Sequence, residues 1–169
     1  MNLAKEKFGR IDVVVNNTGH PPKGDLLEIT DENWHFGLDL CLLNVVRMAR
    51  FVVPIMEEQG SGAFVNISAF GAKEPDLVFP VSASIRAALS SFTKLFADRY
   101  AANNIRMNSV LPGFVENYDV SDEWMAKIPA NRSAKLEEIA KTVAFLLSDD
   151  AGYINGQSVV VDGGLNRSF

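Results

Sequence analysis

Few side chains in this sequence can move a proton or bind a metal near neutral pH. The chain has two histidines. His20 opens the loop His20-Pro21-Pro22-Lys23-Gly24, beyond the end of a β-branched run, where open α/β sheets take their ligands. The plainer expectation for it is a solvated loop imidazole. His35 has no second His, Asp or Glu at ligand spacing, so no metal site is expected. Of the phenols, Tyr100 falls near a helix end and Tyr153 before the last strand. Tyr118 follows Pro112-Gly113, and the plainer expectation for it is a surface loop tyrosine. Ser68 closes an apolar run, and a strand-end serine commonly satisfies local backbone. Phosphate cradling needs a Gly-rich turn between a strand and a helix. Neither G-x-G-x-x-G nor T-G-x-x-x-G-x-G occurs, and Gly60-Ser61-Gly62 precedes a strand instead.

The elements that must position these groups follow from periodicity. Ile11 to Val15 reads as a parallel strand buried on both faces. Thr30 offers an N-cap before Asp31 and Glu32, opening a helix over residues 31–58 that is expected to bend near Pro54. Gly60 to Gly62 ends it, and Ala63 to Ile67 is a second strand. Ile85, Leu89, Phe92 and Phe96 recur at helical spacing over residues 82–102, and Asn103-Asn104 can close that helix. Ile105 to Val110 is a third strand, stopped by Pro112-Gly113. Residues 114–132 read as irregular or weakly helical, anchored by Trp124. Leu136, Ile139, Ala140, Val143 and Leu147 mark an amphipathic helix with Glu137 and Glu138 at its start, and Ser158 to Val161 is a final strand. The order βαβαβαβ demands right-handed crossovers and a mainly parallel, doubly wound sheet. No linker or repeat divides the chain, so residues 1–169 are read as one domain.

Composition narrows the class. With 16 basic and 21 acidic residues the net charge is −5, and the basic residues are scattered, which argues against a nucleic-acid surface. No apolar run approaches a membrane span, and the N-terminus lacks a signal-peptide core. Cys41 is the sole cysteine, which excludes an internal disulfide and suits a reducing, cytoplasmic setting.

Four motifs fall in one order: Asn16-Asn17-Thr18-Gly19, then Ser68 followed by Val81-Ser82-Ala83-Ser84-Ile85, then Ile105 to Gly113, then Val161-Asp162-Gly163-Gly164. Together they resemble the classical short-chain dehydrogenase/reductase family, of the 3-oxoacyl-ACP-reductase-like kind. The resemblance implies NAD or NADP as cofactor and hydride transfer to or from an alcohol or carbonyl. It also implies a tyrosine as acid/base, a lysine that lowers the tyrosine's pKa, a serine that orients the substrate oxygen and a relay asparagine. Placed on this sequence, the catalytic serine is Ser68, and the cofactor-facing residues are Asn16, Gly19, Pro112, Gly113 and Val115. The tyrosine and lysine positions are read as Val81 and Ile85, neither of which transfers a proton. Arg86 is one residue on, about 100° round the helix, and its guanidinium does not deprotonate. The relay position falls on Cys41, with Asn44 a turn away, and Asn117 stands in place of a carboxamide-holding threonine. Fold maintenance would equally keep an Asn between strands and Gly and Pro in turns.

By the same resemblance the chain corresponds to a partial Rossmann fold lacking its first three strands and its Gly-rich loop. The strand at 11–15 then becomes an edge that needs a cover, from upstream sequence, from a second copy or from repacking. Three readings follow. One is a homologue without hydride-transfer activity that self-associates through helices 31–58 and 82–102. The second is an active NAD(P)-dependent oxidoreductase whose nucleotide-binding half lies upstream and whose acid/base is Tyr118 or water. The third is a non-enzymatic binding module.

Overall fold

In a computed structural model of the chain, which describes residues 2–168, the expected order of elements is present. A short helix α1 (Asn2–Phe8), absent from the sequence reading, precedes β1 (Val13–Asn17). Then come α2 (Asp31–Leu38), a π-helical turn (Asp39–Leu43) and α3 (Asn44–Gln59) as one continuous run. β2 (Gly62–Ile67), α4 (Pro80–Tyr100), β3 (Ile105–Pro112), α5 (Asp122–Lys127), α6 (Leu136–Leu147) and β4 (Ser158–Val161) complete the chain. All strands are parallel, in the order β1-β2-β3-β4.

Successive side chains on a strand face opposite ways, so β2 and β3 feed two cores. Phe64 and Met107 join Val45, Val52 and Met56 of α3 and Leu89 and Phe96 of α4 on one face. Val65 and Val110 meet Ile139 and Leu146 of α6 on the other. The result is helix, sheet, helix in three layers. β1 departs from the expectation of a strand buried on both faces. Val14 packs on the α3 core, but Val13 and Val15 are each 47 % exposed. The reason is position: β1 pairs with β2 alone among the described residues, and α6 does not reach across it.

The irregularity in the long helix lies at the π turn; Pro54 stands inside α3. Its buried residues Gly37, Cys41, Val45, Ala49 and Val53 recur every four positions. A four-residue step overshoots an α-helical turn by about 40°, so the stripe would drift off the core. A wider π turn takes up part of that drift. The turns end as the sequence suggests: Gly60 closes α3 with φ 79° and Asn104 follows α4's last turn with φ 57°, both left-handed. Arg106, buried, donates to the carbonyls of Leu146 at 2.8 Å and Ser148 at 3.0 Å, placing a cation at the C-terminus of α6.

The start of α6 is held by charge. Arg132 donates two hydrogen bonds of 2.7 Å to the Glu138 carboxylate, and the Lys135 amide adds one of 2.8 Å. The Arg132 fork, then the Lys135 amide, push Glu138 down from 4.5 to about 2. A carboxyl whose folded pKa is depressed stabilises the fold fully above its unfolded value and loses that contribution as pH falls towards the folded one. Glu138→Gln should therefore be less stable than wild type at neutral pH, with the gap closing between pH 4.5 and about 2. Acid denaturation curves of the two proteins check this; a gap unchanged across that window would contradict it.

Candidate functional site

The C-terminal ends of β1, β2 and β3 open onto a cavity of about 560 Å³. That is the place where an open parallel sheet receives a ligand. Val15, Ile67, Ser68, Pro112 and Gly113 form its floor at the strand ends. Phe70, Phe79, Phe114 and Tyr118 close it from the loops, and Ile139 and Val143 of α6 complete one side. Phe70, Phe79 and Phe114 are braced by Trp124, with ring centroids 5.3–6.4 Å apart. Trp124, the expected anchor of 114–132, thus backs the apolar wall.

Helix α4 presents Ser82 and Arg86 to this cavity, not Val81 and Ile85. Val81 is fully buried, and a Cβ on Gly37 of α2 would collide with its Cγ1. That contact fixes the rotation of α4 and turns the next residue, and the one a turn further on, towards the strand ends. The cavity-facing pair is therefore one residue later than the flanking sequence suggests. Ile85 is only half-buried, whereas Arg86 lies three residues before Leu89 on the buried face of the helix.

Arg86 is 3 % exposed. Its Nη1 donates to the Ile67 carbonyl at 2.9 Å, its Nη2 to the Gly19 carbonyl at 3.1 Å and its Nε to Ser82 Oγ at 3.2 Å. It thereby ties the end of β2 to the loop after β1. Burial lowers its pKa, and Cys41 opposes that effect, but a guanidinium keeps its charge. None of the ion pairs among the described residues includes Arg86. Ser68, 6 % exposed, carries a hydroxyl with no hydrogen-bond partner. The expectation that it satisfies local backbone fails, since its amide already donates to the Val110 carbonyl at 2.8 Å and its Oγ is left over.

The other sequence candidates separate. Val115 lines the cavity with Pro112 and Gly113, whereas Gly19 contributes its carbonyl to Arg86. Gly113 is required by packing, because a Cβ there would lie 2.8 Å from the Asp162 backbone. Asn16 does not line the cavity. Its side chain donates to Asn66 Oδ1 at 2.8 Å, Asn66 donates to Thr93 at 3.1 Å, and Thr93 meets Ser109 at 3.0 Å. That network fastens three strands to α4. Cys41 and Asn44 stay out of the cavity too; Cys41 is buried in the π turn. Asn117 lines it.

His20 is exposed in its loop, as expected. It lines the cavity and meets Tyr118 edge to face at 5.0 Å between centroids. Burial first, then the charges of Arg86 and Lys23, hold its pKa below the usual value of 6.5, so it is neutral at pH 7. Among the described residues no cluster of His, Cys, Asp or Glu could hold a metal, and no helix is long and apolar enough to cross a membrane.

A sequence model of the family described as enoyl-(acyl carrier protein) reductase matches residues 1–166. The chain is 34 % identical over 167 residues to the 3-oxoacyl-(acyl-carrier-protein) reductase of Thermotoga maritima, covering 95 % of this chain and 68 % of that one. It is 31 % identical to the meso-2,3-butanediol dehydrogenase of Serratia marcescens, covering 99 % of this chain and 69 % of that one. The crystal structure of L-sorbose reductase from Gluconobacter frateurii, complexed with NADPH and L-sorbose, superposes with a TM-score of 0.90 at 29 % identity. That match covers 99 % of this chain and 71 % of the reductase.

The facing of α4 can be read by stability. Val81→Tyr forces a phenol into the filled contact over Gly37 and should cost about 1–3 kcal/mol. Ser82→Tyr points into the cavity and should cost less than Val81→Tyr, mainly through the lost acceptor for Arg86 Nε. Chemical denaturation of both variants decides, and equal losses would contradict the assigned rotation.

Proposed function

The chain belongs to the short-chain dehydrogenase/reductase family, and on that premise we propose that its cavity binds a ligand without carrying out hydride transfer. The observation that carries this reading is the pair on α4: Ser82 and Arg86 line the cavity where proton transfer needs a phenol and an amine. A serine hydroxyl is far too weak an acid to stand in for a phenol whose pKa an ammonium has lowered, and a guanidinium gives up no proton. Ser68 remains able to donate to a ligand oxygen, and Arg86 to fix a charge.

When bound, NAD or NADP would supply a hydride at its nicotinamide ring. Ser68, Pro112, Gly113 and Val115 fit the wall of such a site. No Gly-rich strand-to-helix turn for its pyrophosphate stands among the described residues, so the fit covers one end of the cofactor only.

Self-association through residues 31–58 and 82–102 belongs to the same reading. Phe36, Phe51 and Leu95 on those helices are exposed, which supports it.

One observation favours a second reading. Tyr118 is a phenol in the cavity wall, braced by neutral His20, so it is placed to act as an unorthodox acid. Turnover assays with NADH and NADPH separate the two, using a 3-oxoacyl thioester, meso-2,3-butanediol and L-sorbose as probes. The expected result is no reaction above the uncatalysed background. Turnover that disappears in Tyr118→Phe would overturn the first reading in favour of the second.

A further inference from the structure

The cavity is unusual in its charge. Of 21 acidic residues in the chain, none lines it, while a buried guanidinium does. An uncompensated charge removed from water is costly, and folds retain one where a partner or a ligand completes it. Two N–H groups of Arg86 tie the strand ends and a third donates to Ser82, which leaves one of its five on each terminal nitrogen by count. A planar fork of that kind matches two carboxylate oxygens.

Two hydroxyls sit beside it. Ser68 follows Ile67, whose carbonyl Arg86 holds, and its buried Oγ has no partner. Ser82 accepts from Arg86 Nε, which leaves its own proton to donate. The other lining groups that could pair with an anion are His20, Tyr118, Asn17, Thr18 and Asn117, none of them a carboxylate. With Arg86 as the lone lining cation, a monoanion balances the site, whereas a phosphate dianion would leave charge over. The remaining wall of Phe70, Phe79 and Phe114 calls for an apolar body on the ligand.

We propose that the cavity binds a small carboxylic acid as its anion, the carboxylate on Arg86 and the Ser68 hydroxyl, the apolar part against Phe70, Phe79 and Phe114. This rests on the cavity being a ligand site, and does not depend on whether a nicotinamide cofactor binds or reacts.

Calorimetric titration of the purified chain, without cofactor, tests it with phenylacetate, its neutral isostere phenylacetamide and inorganic phosphate. Phenylacetate should bind saturably, and phenylacetamide about tenfold more weakly or worse. Phosphate should bind more weakly than phenylacetate. Arg86→Gln should lose the preference for acid over amide. Arg86 also ties two strand ends, so that variant counts only where thermal denaturation shows it folded. Ser68→Ala deletes an unpartnered hydroxyl, so it should keep the fold and lose about tenfold in phenylacetate affinity. Equal affinity for acid and amide would overturn the proposal, as would undiminished phenylacetate binding in Ser68→Ala. Phosphate binding tighter than phenylacetate, or no saturable phenylacetate binding up to about 10 mM, would also overturn it. Because cofactor is left out, these outcomes stand whichever way the turnover assays fall.

Discussion

A single buried guanidinium joins the parts of this molecule that matter most. Arg86 reaches from α4 to the Ile67 carbonyl at the end of β2 and to the Gly19 carbonyl after β1. It therefore closes the strand ends against each other and places a positive charge on the cavity wall. The loops above follow from that floor: Phe70, Phe79 and Phe114 pack as a wall, and His20 is kept neutral partly by the same charge. The strand network through Asn16, Asn66 and Thr93 then fixes the sheet to the helix that carries Arg86.

What aims Arg86 is shape rather than charge. Gly37 has no Cβ, so Val81 can seat itself against α2, and a helix with position 81 locked inwards must show 82 and 86 to the strand ends. The π turn keeps Gly37 and Cys41 buried along with the rest of the stripe that continues through α3. Glycine, valine and one wide turn thus decide which chemistry the cavity is given. The outcome is a fixed cation and hydroxyls, a set suited to holding an anion rather than to shuttling protons.

Much of this was legible in the sequence. The alternation of buried strands and periodic helices gives the βαβαβαβ order, and Gly60 and Asn104 end their helices where left-handed backbone is needed. The edge at β1 is also visible in advance: among the described residues β1 pairs with β2 alone, which leaves Val13 and Val15 exposed. The site was harder. Matching the residues around Val81 and Ile85 places chemistry by neighbours in sequence, whereas facing is set by the residue locked against another helix. The buried face of α4 runs through Arg86, Leu89, Thr93 and Phe96 and leaves Ile85 half-buried. Asn16 looks the same whether it meets a ligand or ties strands, and only its distance to Asn66 tells. The meeting of His20 with Tyr118 joins loops some hundred residues apart, which no local pattern encodes.

The claim on which the rest turns is that α4 shows Ser82 and Arg86 to the cavity and hides Val81. Thiol labelling measures this directly in a Cys41→Ala background, with Val81→Cys and Ser82→Cys made separately. A cysteine in place of Ser82 should react with a water-soluble thiol reagent in the folded protein, and one in place of Val81 should react only on unfolding. Fast labelling at 81 with protection at 82 would show that the helix faces the other way, and the account would fail.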